Sequence, residues 1–173
     1  IQSFPLTIIS HRLGELFLLM PHDGAPDAAA WEQRAAYDQE KSTPYYYSVR
    51  LDDSLIQVEF TPAAQSGYFR FSFPAGNPVV LLANRQGGEM TALPGNAISG
   101  VETFSGMKAY VYGEFSAPVE IAVRVDGRKT RLEVTTLKAG QTLEFRYGVS
   151  FISVEQAQKN LRREIAHWDF EKV

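Results

Sequence analysis

Three histidines, His11, His22 and His167, are the side chains best suited to move a proton near neutral pH. They stand far apart in the chain. As a general base His11 would require a partner brought to it by the fold. His22 is followed directly by Asp23, and the pair, read as part of a loop from Pro21 to Pro26, suits either a polar ligand or plain solvent. Trp31 and Tyr37 offer aromatic faces that would stack on a sugar ring or pack a loop onto a sheet. Glycoside hydrolysis needs two carboxylates held across a cleft. Asp and Glu are plentiful, but no motif marks a pair. Phosphate-binding glycine loops, zincin motifs, nucleophile elbows and metal-binding Cys/His clusters are all absent from the sequence. Without a cysteine, disulfides and thiolate chemistry are excluded.

Composition narrows the classes further. The 173 residues are enough for one domain with a substantial core, and 45% hydrophobic with 21% charged residues describes a folded globular chain. A net charge of −3 argues against nucleic acid, which calls for a basic stripe. No run approaches the roughly 20 apolar residues of a membrane span. The chain opens at Ile1 with neither an initiator Met nor a signal peptide, and reads as a piece of something longer.

The elements that would position these side chains are strands. Thr43 to Pro74 alternates with a period of two over three runs: Tyr45 to Leu51, Leu55 to Phe60, and Tyr68 to Phe73. Asp52-Asp53-Ser54 and Gln65-Ser66-Gly67 supply the reversals. Phe69, Phe71 and Phe73 share one face, and a one-residue slip would expose all three. Ile1 to Ile9 reads as an edge strand interrupted by Pro5, and Leu16 to Met20 as a buried strand. Asp27 to Tyr37 suggests a short helix, with Asp27 as its cap and an alanine run after it. Later strands are expected at 78–83, 89–93, 97–104, 108–115, 119–125, 130–136 and 142–152. Asp126-Gly127 and Ala139-Gly140 mark two of the turns. About ten strands without an internal repeat indicate an all-β antiparallel sandwich or barrel.

The end of the chain changes period. Ser153 with Gln156 fits a capping box, and Val154, Ala157, Leu161, Ile165 and Trp168 form one stripe of a helix running to about Trp168.

In chain order these segments resemble the N-terminal domain of glycoside hydrolase family 92. Tyr147 to Ala157, then Asn160-Leu161, Glu164-Ile165 and Trp168-Asp169-Phe170, are similar to the family's stretch GISFVSVEQARRNLEAEIPGWDF. Tyr46 to Val49 with Leu51, Val58-Glu59 and Thr61 is similar to a second stretch, and Glu114-Phe115-Ser116 with Pro118 to a third. Thr7, Ser10, Gly14 and Met20-Pro21 match remnants of a fourth. Ile8 stands where the family has a His, and His11-Arg12-Leu13 replaces a longer glycine-rich loop. Tyr37 falls near another family His, whereas Glu40 is retained.

The resemblance implies a β-sandwich of the supersandwich type over residues 1–152 and a linker helix over residues 153–173 that leads to an (α/α)6 catalytic barrel. It implies a bacterial, secreted or periplasmic, exo-acting α-1,2-mannosidase that inverts configuration. Calcium and the catalytic acid and base belong to the barrel, so this chain alone is expected to be inactive. Its partners are then the catalytic domain of the same polypeptide and a mannose-containing glycan. Substrate contacts, if lent by loops of this domain, fall on His11, Glu15, His22, Asp23, Trp31 and Glu40. Val154, Ala157 and Leu161 are expected on the domain's own sheet, and Ile165 and Trp168 against the barrel. The rival reading is a free-standing carbohydrate-binding or adhesin-like sandwich, for which a capped amphipathic tail has no use.

Overall fold

A computed structural model describes residues 1–7, 14–32, 34–74, 77–136 and 142–173. His11, the rest of its connection and the Ala139-Gly140 turn lie outside the described residues. Thirteen strands form two antiparallel sheets among the described residues. They are β1 (Phe4–Pro5), β2 (Phe17–Asp23), β3 (Tyr37–Thr43), β4 (Tyr46–Leu51), β5 (Gln57–Pro62), β6 (Ser66–Ser72), β7 (Pro78–Asn84), β8 (Glu89–Leu93), β9 (Ala97–Phe104), β10 (Met107–Phe115), β11 (Val119–Asp126), β12 (Lys129–Thr136) and β13 (Thr142–Ser150). A helix, α1 (Val154–Glu164), closes the chain together with a short 3-10 turn at Phe170–Lys172.

One sheet runs β1-β2-β7-β12-β11, the other β3-β4-β5-β6-β13-β10-β9-β8. The expected sandwich is therefore present. The β4-β5-β6 meander pairs as its alternation predicts, Val58 opposite Phe71 and Phe60 opposite Phe69. Phe69, Phe71 and Phe73 are buried between the sheets, where they meet Leu19, Val80, Leu82, Leu132 and Val134 from the opposite side. The Asp126-Gly127 hairpin forms with Gly127 at φ +60, the left-handed region that glycine enters without a steric cost.

Three expectations are corrected. The helix over Asp27 to Tyr37 shrinks to one 3-10 turn at Ala29–Trp31. The N-cap position is Ala28 rather than Asp27, although Asp27 Oδ1 accepts from the Ala30 N–H at 2.9 Å; the turn ends at Glu32 and Tyr37 already begins β3. That strand, YDQEKST, is polar and exposed throughout, so no apolar alternation announces it. It is a sheet edge, where charge discourages pairing with other chains. The loop expected from Pro21 is strand as far as Asp23, paired with β7. Pro21 is tolerated because β1 reaches only Leu18 and Leu19, so no second neighbour asks for its missing N–H.

The third correction concerns the helix, which ends at Glu164 rather than near Trp168. Ser153 caps it through Oγ, at 3.1 Å from the Gln156 N–H, while the Gln156 side chain turns forward to Asn160. Ala157 and Leu161 pack on the eight-stranded sheet as expected, and Ile165, 2% exposed, joins them instead of facing outward. Trp168 is 39% exposed. The helix sits close because β13 offers Gly148 beneath it: a Cβ there would lie 2.2 Å from the Ala157 carbonyl oxygen.

Candidate functional site

The chain traces β2 between two of the expected contact residues. Glu15 stands before the strand and His22 near its far end, so roughly 20 Å of extended chain separates them. One sugar ring does not touch both. His22 and Asp23, by contrast, share a cavity of about 280 Å3 with Asp53, Ser54, Pro21 and Leu51. Asp53 and Ser54 form the turn between β4 and β5 in the opposite sheet, and the cavity opens where the ends of the two sheets meet. The Asp23 carboxylate accepts from the Asn77 N–H at 3.3 Å, which ties β2 to the start of β7.

This arrangement sets an imidazole, two carboxylates and a hydroxyl around a partly apolar floor. Hydroxyl-rich ligands are recognised by such groups: carboxylates accept from hydroxyls, and aliphatic carbons cover the C–H faces of the ring. Asp53 and Ser54 escaped the sequence reading because a DDS cluster reads as a turn. Only the sandwich brings that turn to the end of β2.

The other expected residues lie elsewhere. Trp31 caps the outer face of the five-stranded sheet: with Ala30 it packs on Val79 and Leu81, and the Arg131 guanidinium lies over its ring at 5.1 Å. One aromatic face is thus already occupied, and the side chain holds a loop to its sheet. Glu40, on the edge strand β3, accepts from the Tyr47 hydroxyl at 2.9 Å. Burial, with the Glu40 carboxylate beside it, pushes the Tyr47 phenol well above its ordinary range. Among the described residues no group of three or more His, Cys, Asp or Glu side chains converges as a metal site.

A second polar constellation lies on the outer face of the eight-stranded sheet. Glu59 of β5 holds Arg70 of β6 through two contacts at 2.7 and 2.8 Å, and Glu114 of β10 holds Arg146 of β13 at 2.9 and 3.3 Å. Arg162 of α1 reaches the same Glu114 carboxylate from above. Tyr68 and Tyr112 donate to Glu144 and Glu114. Helix and tail cover this face, and each carboxylate meets a cation or a hydroxyl. Its chemistry is that of satisfied ion pairs, built to hold elements together.

Known proteins share this fold over most of the chain. The model of the glycosyl hydrolase family 92 N-terminal domain matches residues 1–159. An uncharacterized secreted glycosidase from Arthroderma benhamiae is 29% identical, over 82% of this chain and 25% of its own length. The structure of an inverting family GH92 mannosidase from Bacteroides thetaiotaomicron superposes with a TM-score of 0.82 at 26% identity, covering 92% of this chain and 25% of that one. A family GH92 α-mannosidase from the same organism shares the fold, with a TM-score of 0.78 at 19% identity over 99% of this chain and 29% of its own. The chain thus spans about a quarter of the length of these proteins.

Proposed function

Because the chain belongs to the glycosyl hydrolase family 92 N-terminal domain family, we propose that it is the non-catalytic sandwich of an inverting α-1,2-mannosidase, packed on a helical catalytic domain of the same polypeptide and lending loops to its sugar pocket. The observation that carries this reading is the superposition of 92% of the chain, at a TM-score of 0.82, on one quarter of an inverting family GH92 mannosidase.

The chemistry agrees with a supporting role. Inversion needs an acid and a base about 6.5–9.5 Å apart with room for water between them. Asp23 and Asp53 share a cavity, but the Asp23 carboxylate is engaged by the Asn77 backbone and fastens a strand end. We therefore assign the acid, the base and the calcium to the catalytic part of the polypeptide. This chain's residues would bind and orient the glycan from the side. Like the Arthroderma benhamiae relative, the whole protein is read as secreted.

The test uses the polypeptide that contains this domain, with calcium, on α-1,2-, α-1,3- and α-1,6-linked mannobioses. The reading expects fastest release from the α-1,2 linkage, with β-mannose as the first product by NMR. First-formed α-mannose, or no release from any linkage, would overturn it. A free-standing carbohydrate module is the second reading, favoured by the His22–Asp23–Asp53 cavity. Under the leading reading, mannose perturbs NMR signals at Glu15 or around that cavity. Perturbation confined to the β8–β9 edge would exclude both sites.

A further inference from the structure

Two arginines on neighbouring strands each grip one aromatic ring from the last nine residues of the chain. Arg146, locked to Glu114, donates through Nη1 to the Ile165 carbonyl at 3.1 Å, and its guanidinium lies over the Trp168 ring at 4.3 Å. Arg70, locked to Glu59, donates through Nη1 to Glu171 at 2.9 Å and lies over the Phe170 ring at 4.2 Å. Tyr68 stands opposite Arg146 in the ladder and meets both rings edge-on, Trp168 at 5.8 Å and Phe170 at 5.3 Å. Tyr46 adds a third edge to Phe170 at 6.4 Å. Phe170 is 6% exposed although it lies outside any strand or α-helix.

Backbone pairing does not explain this order. After Ile165 the chain makes one 3-10 turn. The grip comes from the sheet, whose arginines are already oriented by carboxylates on the flanking strands, so little of their freedom remains to be lost when the rings dock. The Phe170 ring and the Arg146 guanidinium are withdrawn from water, where cation–π contacts are strongest, while Trp168 keeps 39% of its surface exposed.

We infer that residues 165–173 form a strap that fixes the direction in which the polypeptide leaves the sandwich, so that the domain after Val173 is held in one orientation rather than on a free linker. For the existence and identity of that domain the inference rests on the mannosidase reading; the strap itself is a property of this chain. A sandwich that lends loops to a pocket in another domain needs such a fixed exit, because small misplacements of positioning groups cost large factors in rate.

The absence of cysteine makes the test clean, since nitroxide labels attach only where a cysteine is introduced. Val173→Cys with Met107→Cys, both exposed, reports the strap against the sheet by pulsed electron resonance. Met107→Cys with Val123→Cys reports the rigid sandwich for comparison. The strap predicts one distance population at Val173, as narrow as that of the sandwich pair. Phe170→Ala, which leaves every sheet residue in place, should broaden it severalfold. Should that variant fail to fold, Trp168→Ala is read the same way. A broad distribution in the unsubstituted chain, or a narrow one that survives loss of the ring, overturns the strap. Neither result touches the mannosidase reading, which is decided by released sugar.

Discussion

At the scale of single residues, the outer face of the eight-stranded sheet carries the greatest consequence. Arg70 holds the Glu59 carboxyl below its usual range, chiefly through their direct hydrogen bonds. A depressed folded pKa contributes stability that is complete above the unfolded value, about 4.3, and is lost as pH falls through the folded value. Glu59→Gln should therefore be destabilised near neutral pH, with the gap to the parent chain narrowing at about pH 3. Urea midpoints at the two pH values check this, and a gap independent of pH would contradict it. Gly148→Ala addresses the same face. Its Cβ would press on the Ala157 carbonyl, and overpacking of this kind costs about 1–3 kcal/mol, read as a lower denaturation midpoint. The stripe of α1 showed that a helix would lie on the sheet, but the residues beneath it were not legible in the sequence. Tyr68, Arg70, Glu114 and Arg146 occupy the polar half of a period-two pattern and read as solvent-facing. They are covered only because a helix and a tail far along the chain return to lie over them.

At the scale of elements, regular alternation carried most of the fold. The meander, the Gly127 hairpin and the Ser153 cap stand where residue patterns placed them. Replacing Ser153 by Ala should cost about 1 kcal/mol, the usual loss when an N-cap oxygen is removed, and thermal unfolding will measure it. Elements without alternation were missed. β3 lacks an apolar face because it is an edge, and the alanine run that suggested a helix beside it is too short to outweigh the next strand. The stripe of α1 was read one turn too long. Ile165 belongs to the sheet contact, yet it lies past the helix end, where its N–H still bonds the Leu161 carbonyl at 2.8 Å. The candidate cavity was half legible: His22-Asp23 is a visible pair, but its Asp53-Ser54 complement comes from the other sheet. Asp53→Ala should weaken a mannose-induced NMR perturbation at His22, should that cavity hold sugar, with little effect on stability because the side chain is at the surface.

At the scale of the whole molecule, the sandwich matches about one quarter of its relatives' length. Its described residues set His22, Asp23, Asp53 and Ser54 around a cavity at one end and an arginine-gripped tail on the outer face of the eight-stranded sheet. Trp168 keeps 39% of its surface exposed above that grip. The central claim is that this domain shapes and supports a mannosidase without performing the hydrolysis. Mannose release from α-1,2-mannobiose in the presence of calcium, measured side by side for the 173-residue chain and for the longer polypeptide that contains it, tests the claim most directly. The account predicts release by the longer polypeptide and none above the buffer blank by the chain alone. Turnover by the isolated chain would contradict it.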